Sequence, residues 1–401
     1  MSAPPGQAHL SRLAGVLALL ALLATALIGA GCATVNPYFD ARQAHHRPGG
    51  FQNPHAGAVP RGFGDFVRWQ RDAWQQGVPK PPSTPTPTVA PDLPLLQANA
   101  RAGAAMQPTV TWIGHASTLV QAAGLNVLTD PVFSERASPL PFAGPKRAQP
   151  PGLTPEQLPP IDLVLVSHNH YDHLDVASVR SLAAQAGGSP LFIVPLGLKP
   201  WFAELGIHRV VELDWWQTHR VGDTEVVLTP AQHWSGRGLH DRQATLWGGF
   251  AVFSPGLHWY YSGDTGYSPD FIEIGRRFSA RPGGGGFDLA LIPVGAYEPR
   301  WFMGPQHVNP DEAVRIHREV GSRFSVGVHW GTFELTDESL DQPPRDLATA
   351  RRAQGVADGA FVVLAVGETR RLAPRPPAPA SAASAAGAAR PAPGAPAAPA
   401  R

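Results

Sequence analysis

The run Ser167-His168-Asn169-His170-Tyr171-Asp172-His173 stands directly behind Ile161-Asp162-Leu163-Val164-Leu165-Val166, an apolar stretch with the character of a buried strand. Four side chains able to hold a metal ion therefore share one loop at a strand's end, where sites in sheet proteins with helices commonly open. His-x-His directs two alternating side chains toward one point, and the Asp-His pair that follows is directed toward a second. Three groups of the same chemistry come later: His233 after 225–232, Asp264 after Trp259-Tyr260-Tyr261-Ser262-Gly263, and His329 after 324–328. Each ends an apolar, aromatic or β-branched run, with room between them for strand–helix units. Seven such groups predict a sheet protein whose strand ends gather around a dinuclear metal site. The single cysteine excludes a thiolate cluster and an intramolecular disulfide, while 16 histidines leave nitrogen donors in supply. Zinc takes imidazole and carboxylate ligands, and iron or manganese tolerates the same set.

The rest of the 401 residues divides by composition. Arg12, the apolar stretch 13–28 and Gly29-Ala30-Gly31 before Cys32 have the order of an export signal. The position of Cys32 suggests a lipoprotein signal over 1–31 with Cys32 as the lipid-bearing residue, although Gly29 stands where such signals usually carry Leu, Val or Ile. Ala33 in place of Asp carries no inner-membrane retention signal, so a Gram-negative cell would hold this chain on its outer membrane, facing the periplasm or the cell surface. Residues 32–92 form an N-terminal extension. Within it, Phe63, Phe66, Val67, Trp69 and Trp74 have the spacing of an amphipathic helix, expected to pack on the main domain rather than to touch lipid. Residues 78–92 are a Pro-rich linker, 93–372 the catalytic domain and 373–401 a disordered Ala/Pro tail. Lys+Arg 32 against Asp+Glu 31 leaves no field to draw nucleic acid, and no basic run is present. Strands outnumber helices along 105–372: hairpin strands at 110–113 and 126–129, then 161–167, 191–195, 225–230, 248–253, 257–262, 288–293, 324–329 and 360–365. Helices are expected at 176–185, 198–205, 270–278 and 310–319, the last capped by Asn309 with Pro310 behind it.

The loop 167–173 followed by a His, a Gly-Asp-Thr and a further His resembles the metallo-β-lactamase superfamily. Within it, several motifs resemble the branch of the N-acyl-phosphatidylethanolamine-hydrolysing phospholipase D: Trp112-Ile113-Gly114-His115-Ala116-Ser117, Thr129-Asp130-Pro131, Glu212-Leu213-Asp214-Trp215-Trp216, His233-Trp234-Ser235-Gly236-Arg237-Gly238 and Gln306-His307-Val308-Asn309-Pro310. The resemblance covers about 105–345 and implies an α+β fold, an αββα sandwich of two mixed β-sheets flanked by helices. It implies two Zn2+ ions, one held by His168, His170 and His233 and the other by Asp172, His173 and His329, with Asp264 between them. The activity implied is phospholipase D-type cleavage of a phosphodiester in an (N-acyl)phosphatidylethanolamine-like lipid, by a hydroxide shared between the ions. Two cations lower the pKa of shared water from 15.7 toward about 7.

Around the ligands, Asp172 is expected to be indispensable to catalysis, and His307 to touch the phosphate or protonate the leaving oxygen, with support of helix 310–319 as its alternative. His115 and Asp130 are expected either to orient ligands from behind or to serve packing and the Asp130-Pro131 turn. Tyr171 belongs to the wall. Arg300, Trp301, Phe302, Trp215, Trp216 and Trp234 line a lipid groove or pack the domain. The partners expected are a membrane lipid or other phosphodiester and a bilayer holding the N-terminal lipid; a homodimer is left open. Hydrolysis of carbon esters, lactones or β-lactams is the alternative chemistry, and a non-catalytic zinc-binding envelope lipoprotein the alternative class.

Overall fold

The computed structural model describes residues 35–55, 61–281 and 285–376. The candidate signal 1–31, Cys32 and residues 377–401 of the tail lie outside the described residues. Contacts divide the chain into two units after Gln52. In the first, β1 (His46–Arg47) and β2 (Gly50–Phe51) pair antiparallel, and the Asn36 side chain donates to the Gly50 carbonyl at 2.8 Å.

The second unit opens with α1 (Phe63–Gln76) and α2 (Leu93–Ala100). Then come β3 (Thr109–Gly114), β4 (Ser117–Ala122), β5 (Leu125–Thr129), β6 (Leu163–Leu165), α3 (Val176–Ala183), β7 (Leu191–Pro195), α4 (Lys199–Glu204) and β8 (Val210–Leu213). These six strands form one sheet in chain order. β3, β4 and β5 run antiparallel, and β5 to β8 run parallel. The change of direction follows the connections. Ala123 and Gly124 take φ of 50° and 79°, the two left-handed residues that a tight hairpin requires, whereas parallel neighbours need the crossovers supplied by α3 and α4.

The second sheet repeats the plan. Its antiparallel part is β9 (Thr218–Val221), β10 (Thr224–Thr229), β11 (Gly249–Ser254) and β12 (Leu257–Tyr261). Its parallel part continues through β13 (Leu289–Pro293), β14 (Ser325–Val328) and β15 (Phe361–Val363). The crossovers are α5 (Asp270–Phe278), then α6 (Arg300–Met303) with α7 (Pro310–Glu319), then α8 (Gln342–Gln354). A last strand, β16 (Thr369–Arg371), returns to the first sheet beside β3. Alternation along β3 shows how one sheet serves two cores. Ile113 joins Leu128, Val164, Phe192, Val179 and Phe202 on the helix side, while Trp112 stacks on Trp330 at 5.1 Å. The molecule is the αββα sandwich that the resemblance implies.

Several expectations change in detail. The hairpin between 110–113 and 126–129 is a three-strand meander, because β4 stands between the two. Its Thr118 and Gln121 hide it from an apolar pattern, yet both are buried and satisfied: Thr118 Oγ1 lies 2.9 Å from Thr129 Oγ1, and Gln121 donates to Asn126 Oδ1 at 2.8 Å. Helix α8 also lacks an apolar stripe, burying only Pro343, Leu347 and Ala350. The 78–92 segment is tied down. Ser83 and Thr84 donate backbone N–H groups to Asp341, Thr86 Oγ1 donates to the Gly331 carbonyl at 2.7 Å, and Thr88 bridges to Val366. Order at the other end runs past residue 373: Arg375 is buried, with Nε 2.8 Å from Asp288. Helix α1 buries only Trp69 and Ala73. Trp69 stacks on Phe302 and donates to Asp337 at 2.8 Å, but Phe63, Phe66, Val67 and Trp74 are exposed instead of packed into the domain. Among the described residues no helix is long and apolar enough to cross a membrane.

Candidate metal centre

The site is assembled from strand ends. β3 and β5 both run against β4, so they share a direction, as β10 and β12 do against β11. His115 follows β3, Asp130 follows β5, the 167–173 loop follows β6, His233 comes after β10, Asp264 after β12 and His329 after β14. The two sheets meet at this edge. His329 N donates to the His115 carbonyl at 2.9 Å, and Gly248 N to the Ser167 carbonyl at 3.0 Å. His115, Asp130 and His329 hold φ of 53°, 32° and 60°, a left-handed conformation that side chains with a Cβ rarely adopt and that concentrates where function demands it.

The donor atoms fall into two groups. His168 Nε2 and His233 Nε2 lie 2.8 and 3.2 Å from His170 Nδ1. Asp172, His173 and His329 form the second group, together with His115: Asp172 Oδ2 is 3.0 Å from His115 Nε2, 3.5 Å from His173 Nε2 and 3.3 Å from His329 Nε2. Asp264 Oδ2 stands between the groups. It is 3.0 Å from His173 Nε2 and His329 Nε2, 4.0 Å from His168 Nε2 and 3.9 Å from His233 Nε2. All seven sequence-predicted ligands thus converge.

Their neighbours set which ring nitrogen faces inward. The Gln306 carbonyl accepts from His233 Nδ1 at 2.9 Å, and Asp130 accepts from His173 Nδ1 at 2.6 Å, so each ring turns its Nε2 toward Asp264. Asp130 also accepts from Ser167 N at 2.7 Å, Ser167 Oγ at 2.5 Å and the Tyr261 hydroxyl. Its expected role behind the ligands is therefore visible as a four-donor hub. His115 sits against Asp172, with Nδ1 buried and unpartnered.

Electrostatics tests the fit to cations. Burial, then neighbouring imidazoles, hold His168 well below its ordinary value; burial holds His170 down to about 3, His233 to about 4 and His115 to about 3. Three neutral rings turning nitrogens on one point make a cluster of lone pairs. In the other group burial would lower His173 and His329, but Asp264 and Asp172 outweigh it, lifting His173 well up and His329 to about 9. Burial would likewise raise both carboxyls, yet the His173 charge holds Asp172 and Asp264 well below the carboxylate range. Two buried carboxylates that keep two imidazoles protonated demand positive charge, which divalent ions supply in exchange for those protons. The donor set fits metal.

A cleft of about 740 Å³ opens over this floor. His170, Asp172, Asp264, His307 and His329 line its base, and Phe63, Phe66, Trp69, Trp234 and Phe302 its walls. His307 Nδ1 is buried, unpartnered and 3.9 Å from Asp264 Oδ2, while its backbone, not its ring, engages Met303 and Arg300. Of the alternatives left open, Tyr171, Trp234 and Phe302 line the cleft. Trp215 packs inward, donating to the Trp247 carbonyl; Trp216 packs on Phe278 and Arg277; Arg300 pairs with Glu312; and Trp301 lies under Arg68.

Sequence reasoning missed the fasteners. Arg237 donates to the carbonyls of Asn169 at 2.8 Å and Leu174 at 2.6 Å and stacks 3.9 Å above Tyr171, gripping the ligand loop at both ends. Asn53 brackets the His233 backbone, donating to its carbonyl at 2.8 Å and accepting from its N–H at 3.1 Å. Arg237 stood inside a quoted motif, but no spacing rule links Asn53 to His233.

Residues 125–330 match the family model described as the β-lactamase superfamily domain. An N-acyl-phosphatidylethanolamine-hydrolysing phospholipase D of Caenorhabditis elegans is 42% identical over 272 residues, 64% of this chain and 74% of its own. The mitochondrial N-acyl-phosphatidylethanolamine-hydrolysing phospholipase D of Saccharomyces cerevisiae is 38% identical over 257 residues, 63% of this chain and 53% of that one. Among solved structures, an isothiocyanate hydrolase from Delia radicum gut bacteria superposes with a TM-score of 0.52 at 19% identity, covering 66% of this chain and 99% of that chain, a likeness of fold. With this edge of strand ends, its His/Asp donors and these relatives, the chain belongs to the β-lactamase superfamily and is a hydrolase of the metallo-β-lactamase fold.

Proposed function

We propose that this chain is a di-zinc phosphodiesterase that cleaves an (N-acyl)phosphatidylethanolamine-like lipid on the head-group side, leaving a phosphatidic acid and releasing an amide- or amine-bearing alcohol. His168, His170 and His233 would hold one ion and Asp172, His173 and His329 the other, with Asp264 between the two groups. The observation that carries the reading is Asp264 Oδ2 within 4.0 Å of imidazoles from both groups, at the base of a cleft walled by aromatic side chains. When bound, the ions supply Lewis acidity and lower the pKa of water toward neutrality.

The chain's own residues do the rest. Asp130 and the Gln306 carbonyl fix the tautomers of His173 and His233, and His115 braces Asp172. His307 offers its ring to the phosphoryl group or its leaving oxygen. Charge rising on the phosphoryl oxygens would meet groups already fixed at the base of the cleft. The N-terminal lipid on Cys32 tethers the enzyme to the envelope.

The test sets a lipid phosphodiester, a phosphodiester chromogen, a lactone and a cephalosporin side by side against metal-analysed full-length protein. Turnover of the phosphodiesters alone, with two zinc per chain and loss in Asp172→Ala and His329→Ala, is the expected result. Turnover of the lactone alone overturns the reading.

A further inference from the structure

Most of the charge lining the cleft is already answered by a neighbour. Asp172 and Asp264 belong to the metal centre, and Arg237 donates to the carbonyls of Asn169 and Leu174. Two cations of the lining, Arg61 and Arg242, stand apart from this pattern. Among the described residues neither meets a carboxylate. Arg61 Nη2 donates to the Trp301 carbonyl, and Arg242 Nη1 donates to the Arg61 carbonyl at 3.1 Å. A guanidinium carries five N–H donors, so one bond to a neutral carbonyl leaves most of the fork and the whole charge unanswered. Arg61 Nε is buried without a hydrogen-bond partner. Burial alone acts on Arg242, holding it below its ordinary value with no acid nearby to offset the effect.

The fold holds these two groups in place. Gln243 N donates to the Ser235 carbonyl at 2.7 Å and Ser235 Oγ to the Thr245 carbonyl at 2.6 Å, so the chain after His233 turns back and sets Arg242 beside Trp234. Gly236 lets the turn close, since a Cβ there would lie 3.2 Å from Trp234 Cζ3 and 3.6 Å from Arg242 Cα. The Arg242 guanidinium lies 4.6 Å over the Trp234 ring, and the Trp234 ring stands 4.2 Å from that of His170. One indole therefore separates a seated cation from a side chain of the metal centre. The bond from Arg242 to the Arg61 carbonyl puts the first guanidinium against the residue that bears the second. Two like charges side by side in a cleft, with no acid between them, raise the local concentration of anions.

We propose that Arg61 and Arg242 form a subsite for a second acid group of the substrate, a carboxylate or phosphate carried on the head group beyond the phosphodiester. The arginine fork matches a planar carboxylate and a phosphate alike. The head group is the part of the lipid that can bear such an acid, because on an acyl chain it would lose its hydration among the aromatic walls. The inference rests on the phosphodiesterase reading and narrows it. With phosphorus at the metal centre and the arginines one indole away, head groups ending in an acid are favoured over those ending in a methyl group. An ammonium is repelled by the same two charges.

The experiment uses two short-chain phosphatidylethanolamines, N-succinyl and N-butanoyl, whose head groups differ only by an acid in place of a methyl group. Their phosphonate analogues, with CH2 replacing the scissile oxygen, are titrated by calorimetry into zinc-loaded full-length protein, and the esters themselves are assayed for kcat and KM. The succinyl phosphonate should bind about tenfold more tightly than the butanoyl one, and the succinyl ester should show a KM lower by a similar factor. Arg61→Gln and Arg242→Gln should each erase most of that preference. Arg242→Lys, which keeps the charge but not the fork, should retain part of it, and Arg242→Glu should reverse it. Equal binding of the two phosphonates overturns the subsite. So does an equal loss for both in Arg242→Gln, which assigns the arginine to the phosphodiester itself. If the phosphonate preference holds but neither ester is cleaved, the subsite stands and the phosphodiesterase reading falls. If both esters are cleaved with the same kcat/KM and the phosphonates bind alike, the reverse holds.

Discussion

Asp130 contributes most at the scale of single residues while offering nothing to a metal ion directly in the proposed arrangement. One carboxylate gathers His173, Ser167 and Tyr261, thereby joining β5, the ligand loop and β12. An amide in its place presents one acceptor oxygen and adds donors where donors already point inward. Asp130→Asn should weaken zinc affinity about 10- to 100-fold, as loss of a ligand's supporting partner typically does, with the secondary structure retained. Competition with a chromophoric chelator, read beside circular dichroism, checks both halves. The seven converging His and Asp groups were readable from sequence because each combines a side chain able to bind metal with a preceding apolar run. Asn53 was not, since its hold on His233 spans 180 positions and depends only on where the fold brings the backbone.

Among the elements, the decisive features are strand ends and the close approach between them. Gly263 stands at φ 60°, and a Cβ there would lie 2.7 Å from the Gly248 carbonyl oxygen and 2.7 Å from Ser167 Cβ. Two backbones and the ligand loop pass one another at this point, so neither the left-handed geometry nor the space admits alanine. Gly263→Ala should cost roughly 1–3 kcal/mol of stability and displace Asp264. Denaturant unfolding together with zinc stoichiometry measures the two effects; an unchanged midpoint with full zinc would refute the account. Helices with a clear signal, such as α7 behind Asn309-Pro310, were anticipated to the residue, and the Asn309–Glu312 capping box shows why. β4 and α8 escaped because buried polar ladders and a proline-rich first turn replace the apolar period that sequence reading relies on.

For the whole molecule, the metal centre is also a clasp. Its donors come from both sheets, and among the described residues the charges of Asp172 and Asp264 are met there by imidazole. Ions that bind the folded form alone stabilise it by about 2.7 kcal/mol per site when free metal exceeds Kd about a hundredfold. Stripping with a chelator should therefore lower Tm by several degrees, and readdition of zinc should restore it. Scanning calorimetry with and without chelator makes the comparison, and an unchanged Tm would show that the two sheets close without help.

Residue types and their period were enough to mark the seven His and Asp groups that converge, and to show that strands with intervening helices build a two-sheet core. These follow from local composition and period, which every segment carries alone. Packing of the elements set Asp264 between the two imidazole groups, put Arg237 across the ligand loop and left the outer face of α1 in solvent. Those outcomes depend on how two sheets approach and which surfaces remain uncovered, and no stretch of chain holds that information until its partners are in place.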